Sequence, residues 1–252
     1  MKISVIMPVF NRGQQLKKSV DSILAQSSKD FELIIVNDGS SDDSEKIIKS
    51  YDDPRIIYLR KENGGQASAR NLGISVAKGQ YIAYCDHDDL FHKEHLEKLS
   101  FYLDSHPDVD VVYSNANFIN HGTFEYVTDF EHPKKDPVKD LYFVPMPSTM
   151  MHRKNALKKT GLWDDSRAIR MGGEDWDLWL RFKDKLKIAH LKEALTDYVM
   201  HGGNMNTGKI RIKEIILTRL YVFKKRFVIR VKEQGLLKAL SRAVKDLGRV
   251  FG

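Results

Sequence analysis

The chain has 252 residues, 42% of them hydrophobic and 30% charged, which excludes an intrinsically disordered protein and leaves material for a sizeable core. No run approaches the ~18–20 apolar residues of a transmembrane helix. The net charge of +7 is unevenly spread: from Lys209 onward 13 Lys and Arg face 3 Asp and Glu, a net of +10, which leaves 1–208 at −3 with no basic footprint for nucleic acid.

The apolar start at 3–10 contains Pro8 and runs into Asn11 and Arg12, so it reads as a buried strand and not as a signal peptide. In chain order, runs rich in Ile, Val and Tyr predict strands at 3–9, 31–36, 56–59 and 81–85. Apolar residues at helical spacing predict helices at 14–25, 44–49 and 66–77 between them. This alternation points to βαβ units, hence an α/β fold with a mostly parallel central sheet and helices on both faces. A helix at 93–103 and a strand at 109–113 follow. Residues 120–150 hold Pro133, Pro137, Pro145 and Pro147 and read as a long connection or small subdomain. Beyond them come a helix at 174–184, strands at 187–191 and 195–200, and a helical tail from Lys209 that Gly235 divides.

In an open parallel sheet, ligands bind beyond the carboxyl ends of the strands. Four predicted strands end there in Pro8-Val9-Phe10-Asn11, Asn37-Asp38-Gly39-Ser40-Ser41, residues 60–65, and Asp86-His87-Asp88-Asp89. Asp38 taken alone reads as a strand-ending Asp-Gly turn, with Ser41 or Asp42 capping the next helix. Asp86, Asp88 and Asp89 put three carboxylates within four positions, which repel one another unless a cation or hydrogen-bond donors compensate. Such oxygen ligands suit a hard divalent ion, and Mg²⁺ usually shares its shell between one or two carboxylates and substrate phosphates. The competing reading is a solvated acidic turn that caps a helix.

Taken together, Pro8-Val9-Phe10-Asn11, Val36-Asn37-Asp38-Gly39-Ser40-Ser41-Asp42, Asn63-Gly64-Gly65, Ala69-Arg70-Asn71, Asp86-x-Asp88-Asp89 and Gly173-Glu174-Asp175 closely resemble the family 2 glycosyltransferases of the GT-A, Rossmann-like fold. The resemblance implies inverting transfer of a sugar from a nucleotide-diphosphate donor, most often a UDP-sugar, with Mn²⁺ or Mg²⁺ as cofactor. It implies a nucleotide-binding half over 1–118 and an acceptor-side half over 119–208, while the charge distribution sets off a basic amphipathic helical tail over 209–252. Pro8, Phe10, Asn11, Asp38, Gly65, Arg70, Asp86 and Asp88 would bind the nucleotide sugar, Asp38 at the nucleobase, Asp86 on the ribose and sugar side, and Asp88 through the metal. The family's base is the Asp of a Glu-Asp pair, here Asp175 beside Glu174; an acidic helix N-terminus favoured by the macrodipole is the bland alternative. His201 matches a position that supplies a third metal or diphosphate ligand in related enzymes. Arg70 either meets the diphosphate or serves packing or a surface ion pair. Trp163, Trp176 and Trp179 form either an acceptor platform or core, with core the default for Trp179.

There is no Gln-x-x-Arg-Trp motif, so transfer of one sugar per visit is expected rather than processive extension. Gly203-Asn-Met-Asn-Thr-Gly208-Lys209 approaches a P-loop, but Ile210 stands where Ser or Thr must ligate Mg²⁺. A dinucleotide oxidoreductase lacks its Gly-x-Gly-x-x-Gly, and a nucleotidyltransferase its glycine-rich basic loop after the first strand. The remaining rival is a non-catalytic adaptor, bound to membrane or nucleic acid, on a degenerate transferase body. The tail at 236–251 places Leu236, Leu237, Leu240, Ala243, Val244, Leu247, Val250 and Phe251 on one helical arc, opposite Lys238, Arg242, Lys245 and Arg249. Such a helix either packs on the body or lies in an anionic membrane interface. With the lone Cys85 fitting a reducing compartment, the expectation is a cytoplasmic enzyme, peripheral on the cytoplasmic membrane face, acting on a glycan or lipid-linked acceptor.

Overall fold

A computed structural model of the chain describes residues 1–120, 123, 144–169, 172–200 and 212–251. The strands are β1 (Ile3–Val9), β2 (Phe31–Asn37), β3 (Ile56–Arg60), β4 (Tyr81–Tyr84), β5 (Leu90–Phe91), β6 (Val111–Asn120), β7 (Met150–Arg153) and β8 (Ile188–Met200). The helices are α1 (Gly13–Leu24), α2 (Ser44–Lys49), α3 (Gln66–Val76), α4 (His95–Ser105), α5 (Ala156–Thr160), α6 (Glu174–Lys185), α7 (Ile212–Gln234) and α8 (Leu236–Phe251). The strands form one sheet in the order β3-β2-β1-β4-β7-β6-β8-β5. Its β3-β2-β1-β4 half is parallel throughout. Beyond β4, strand β7 runs antiparallel to both β4 and β6, β8 is parallel to β6, and β5 is antiparallel to β8.

The period-2 alternation of the strands builds two cores, one on each face. Ile3, Val5, Met7 and Val9 of β1 join Leu33 and Ile35 of β2 against Leu16, Val20 and Leu99. Ile6 and Ile34 face the other way, toward Ala69 and Ile74 of α3 and Trp179 and Phe182 of α6. Trp163 joins this second core, and Trp163 and Trp179 are both buried, so neither forms an acceptor platform. Helices therefore cover both faces, as the sequence predicts.

Three local expectations are corrected. The strands expected at 187–191 and 195–200 are one strand, β8. Its partner β6 pairs Ser114 with Leu191 and Asn115 with Ala194, so the polar Lys192-Glu193 pair that looks like a turn is absorbed as a bulge. Strand β6 continues past Tyr113 to Asn120 because its polar residues find partners across the sheet: Asn115 bonds His190 at 2.7 Å, and Asn117 donates to Asp197 at 2.9 Å. The stretch read as a connection ends in a 3₁₀ turn at Pro147–Thr149, and from Met150 the chain forms an unexpected strand, β7, inserted between β4 and β6. Gly235, at φ 82°, breaks the tail into α7 and α8 where expected.

Candidate functional site

The carboxyl ends of β1, β2 and β4 carry the predicted residues to one edge of the sheet. At the end of β1, Asn11 adopts φ 52°, its side-chain oxygen accepts the Ser41 N–H at 2.8 Å, and its own N–H donates to Ser40 Oγ at 3.0 Å. Phe10 beside it is 43% exposed. Pro8 is buried within β1, and its carbonyl accepts from His87 Nδ1 at 3.2 Å, which ties the first strand end to the 86–89 turn.

Asp38, at the end of β2, is buried and fully engaged. Its Oδ1 accepts from Lys61 Nζ at 2.7 Å and the Gly64 N–H at 2.9 Å, and its Oδ2 accepts the Gly65 N–H at 2.7 Å. The carboxylate thus folds the 61–65 loop over the strand end. Gly65 stands at φ 91°, a conformation open to glycine, and from there the chain enters α3.

Arg70, on α3, is 1% exposed, so it is not a surface ion pair. Its Nη2 donates to Asp86 Oδ1 at 2.7 Å and to Gln66 Oε1 at 2.9 Å, and its Nη1 lies 3.5 Å from Glu174 Oε1. The guanidinium also stacks over the Trp163 ring, 4.5 Å from its centre. One buried cation therefore joins Asp86, from the end of β4, to Glu174, from the start of α6.

The 86–89 carboxylates are separated by their partners. Asp86 is held by Arg70, and its backbone N–H donates to Ser148 Oγ at 3.0 Å. The Ser148 hydroxyl donates to Asp89, which burial and its acidic neighbours hold well above the usual carboxylate range. Asp88 lies between them, half-buried. Among the described residues no three His, Cys, Asp or Glu side chains converge to hold a metal ion. The donor set still fits a divalent ion shared with a diphosphate, because such an ion needs only one or two protein carboxylates. His201 lies outside the described residues.

Glu174 and Asp175 form the first turn of α6, entered through Gly173 at φ 96°. Burial, reinforced by the neighbouring Asp175, pushes Glu174 up to about 7 against the pull of Arg70. Burial also raises Asp175, opposed by the Trp176 N–H, which donates to its Oδ1 at 2.7 Å, and by Arg70. Beside Glu174 lies a small, partly open pocket lined by Gly64, Gly65, Gln66, Asp164, Ile169 and Glu174 among others. The pocket thus joins the loop that Asp38 holds to the acid pair. Lys61, Gln66, Ser148 and Asp164 escaped the sequence reading. The adjacent acids Asp164-Asp165 after Trp163 were the signal that could have drawn attention to one of them.

On this half-parallel sheet the strand-end carboxylate Asp86 is joined through Arg70 to Glu174, which lines the pocket. Residues 4–173 match the family described as Glycosyl transferase family 2. The match ends immediately before Glu174. An uncharacterized glycosyltransferase of Rickettsia typhi is 36% identical over 223 residues, covering 84% of this chain and 68% of the relative. Among solved structures, S. aureus TarS 1–349 in complex with UDP-GlcNAc superposes with a TM-score of 0.73 at 20% identity, over 96% of this chain and 72% of that one. The mannosyltransferase PcManGT of Pyrobaculum calidifontis, in complex with GDP-Man and Mn²⁺, does so with a TM-score of 0.67 at 14% identity, over 96% and 69%. The chain belongs to glycosyl transferase family 2 and is a glycosyltransferase with the GT-A fold.

Proposed function

We propose that the protein transfers one sugar, with inversion, from a nucleotide-diphosphate sugar to a hydroxyl of a glycan or lipid-linked acceptor, in the synthesis of a surface polysaccharide. The observation that carries this reading is the Asp86–Arg70–Glu174 bridge, which sets the acid pair beside the strand-end carboxylates and the pocket. Residues 1–118 serve the nucleotide and 119–208 the acceptor. Pro8, Phe10, Asn11, Asp38 and Gly65 form the nucleotide side, with Asp38 shaping it through the 61–65 loop. Asp86 faces the donor sugar in an orientation that Arg70 imposes. Asp175 takes the proton of the acceptor hydroxyl as its oxygen attacks from the face opposite the leaving diphosphate. Asp88, with His201 as an expected further ligand, would hold Mn²⁺ or Mg²⁺, which supplies Lewis-acid neutralisation of the leaving diphosphate. A UDP-sugar is the favoured donor, in keeping with the UDP-GlcNAc held by TarS. Release of nucleoside diphosphate across a panel of UDP-, GDP- and dTDP-sugars tests the reading, and no turnover of any of them overturns it.

The tail supports a membrane placement in part. No described helix is long and apolar enough to cross a membrane. In α7 several basic residues are spent on the body, since Lys225, Arg226 and Arg230 pair with acids of the 164–184 region. In α8, by contrast, Leu236, Leu237 and Leu240 are 55%, 83% and 45% exposed, with exposed Lys238 and Arg242 nearby. This face suits an anionic membrane surface, on the cytoplasmic side where sugar nucleotides are made. Sedimentation with anionic vesicles should pull down the full chain at low salt and release Leu237→Glu/Leu240→Glu. Equal partitioning of the two would remove the membrane role.

A further inference from the structure

Helix α7 reaches the acid pair from the side opposite the sheet. Thr218, Tyr221, Val222 and Lys225 recur at i, i+3, i+4 and i+7, the spacing of one helix face. A Cβ on Gly173 would come within 2.6 Å of Thr218 Cγ2, so α7 rests on the backbone just before Glu174. Val222 is buried with Ile169 and Leu180, and Phe223 meets the Trp176 ring edge-on at 5.8 Å. Tyr221 donates to Asp164 Oδ2 at 3.1 Å, and its hydroxyl lies 3.1 Å from Ser166 Oγ. Lys225 Nζ lies 2.7 Å from Asp164 Oδ2 and 3.1 Å from Asp177 Oδ2.

The Lys225 contacts have different standing. Asp177 is already neutralised by Arg181, whose Nε and Nη2 donate to the same oxygen at 2.9 and 2.6 Å. Lys225 is therefore not needed to compensate Asp177, and what its ammonium adds is a link. Asp164 is a wall of the pocket, and Asp177 lies in the first turn of α6, two residues after Asp175. On the far side the same segment is tied to α3, where Asn71 donates to the Trp163 carbonyl at 2.9 Å and accepts its N–H at 3.0 Å. Residues 163–169 and the first turn of α6 are thus clamped between α3 and α7.

We infer that Lys225 is a positioning residue for sugar transfer, holding the pocket wall at Asp164 against the first turn of α6, where Glu174 lines the pocket and Asp175 adjoins it. The inference rests on the reading of the site as a sugar-transfer centre. It makes α7 a component of the acceptor side, while α8 remains outside it.

The test uses the full chain with Lys225→Met, Lys225→Arg, and Lys185→Met as control, because Lys185 pairs with Glu233 on the same α6–α7 seam at the surface. Lys225→Met should lower the rate of nucleoside diphosphate release from the best donor by roughly 10- to 100-fold, the scale of a small misplacement of reacting groups. Donor affinity by calorimetry should stay unchanged, Lys225→Arg should recover most of the rate, and Lys185→Met should match wild type. Amide hydrogen exchange should quicken over 163–177 in Lys225→Met and remain unchanged in α1 to α4. Wild-type rates in Lys225→Met, or equal losses in Lys225→Met and Lys185→Met, overturn the inference, as does unchanged exchange over 163–177. Exchange needs no substrate, so it separates failure of the clamp from failure of the enzymatic reading, which shows as no turnover of any donor by the wild-type chain.

Discussion

Glu174 and Asp175 share one buried turn with a single cation, so they titrate as a pair. Glu174 keeps its proton up to about 7, and while it is neutral the neighbouring Asp175 is the easier of the two to hold as an anion. Asp175→Asn should lower turnover by roughly 10²–10⁴-fold, the scale of a positioned general base, with donor affinity retained. If Glu174→Gln is the crippled variant and Asp175→Asn stays active, the roles within the pair are reversed. In an active Glu174→Gln enzyme the acid limb of the rate profile should stay in place, because Glu174 is already neutral over the range in which Asp175 ionises. For stability the sign is the opposite of an ordinary salt bridge. A carboxyl raised in the folded state loses stability as pH climbs from its unfolded value toward 7, since the native chain then holds the extra proton. At Asp88, replacement by Ala should remove most donor binding and nearly all transfer while the fold survives, and excess chelator should reproduce the effect. Undiminished transfer in EDTA would rule out a metal at this turn.

At the scale of elements, the site depends on where helices begin. Helix α6 starts through Gly173, whose φ of 96° and contact with Thr218 leave no place for a side chain. Gly173→Ala should cost about 1–3 kcal/mol, from left-handed strain plus displacement of α7. Thermal unfolding measures the stability loss, and the rate should fall further than stability alone predicts, because the strained residue directly precedes Glu174. Helix α3 is set by a different device. Asp38 gathers Lys61, Gly64 and Gly65 at its entrance, and Arg70 and Asn71 one turn later meet Glu174 and Trp163. The motifs Asn63-Gly64-Gly65 and Ala69-Arg70-Asn71 are therefore one structural unit, a loop and helix that join strand β2 to α6.

Over the whole molecule, the tail is divided in its use. Helix α7 belongs to the body through Asp184, which receives two hydrogen bonds from Arg226, at 2.8 and 2.7 Å, and two longer ones from Arg230 Nη2, at 3.2 and 3.4 Å. Burial alone would raise Asp184, and the two guanidiniums more than offset it, leaving its carboxyl below the usual range. Asp184→Ala leaves two buried arginines without this carboxylate and should destabilise the fold by about 3–5 kcal/mol, measurable by denaturant unfolding. The contribution of Asp184 is present above its unfolded value and is lost as pH falls through the folded one, so acid should weaken the docking of α7. A loss well under 1 kcal/mol in Asp184→Ala would mean that apolar contacts around Val222 hold α7 unaided. Part of the tail's positive charge is thus spent within the fold, and among the described residues of α8 Leu236, Leu237 and Leu240 stand exposed.

The first hundred residues were legible because each strand and helix there carries its own periodicity, and because the glycines and carboxylates at the strand ends recur in a family order. Strand β7 was not legible: four residues, Met150–Arg153, become a strand only because β4 and β6 offer edges on both sides. The bulge at Lys192-Glu193 likewise exists only against β6. Arg70 stands in sequence as a basic residue on a helix, and its burial depends on Asp86 and Glu174, 16 and 104 residues away, arriving at the same point. The tail's composition announced its charge but not its use. Whether a lysine or arginine is solvated or docked is set by the acids that meet it, and Asp164, Asp177 and Asp184 meet α7 only once the sheet has brought α6 and the 163–169 loop together. Local patterning determined the elements and the chemical types at the strand ends; long-range packing decided which charges are neutralised and where the pocket lies.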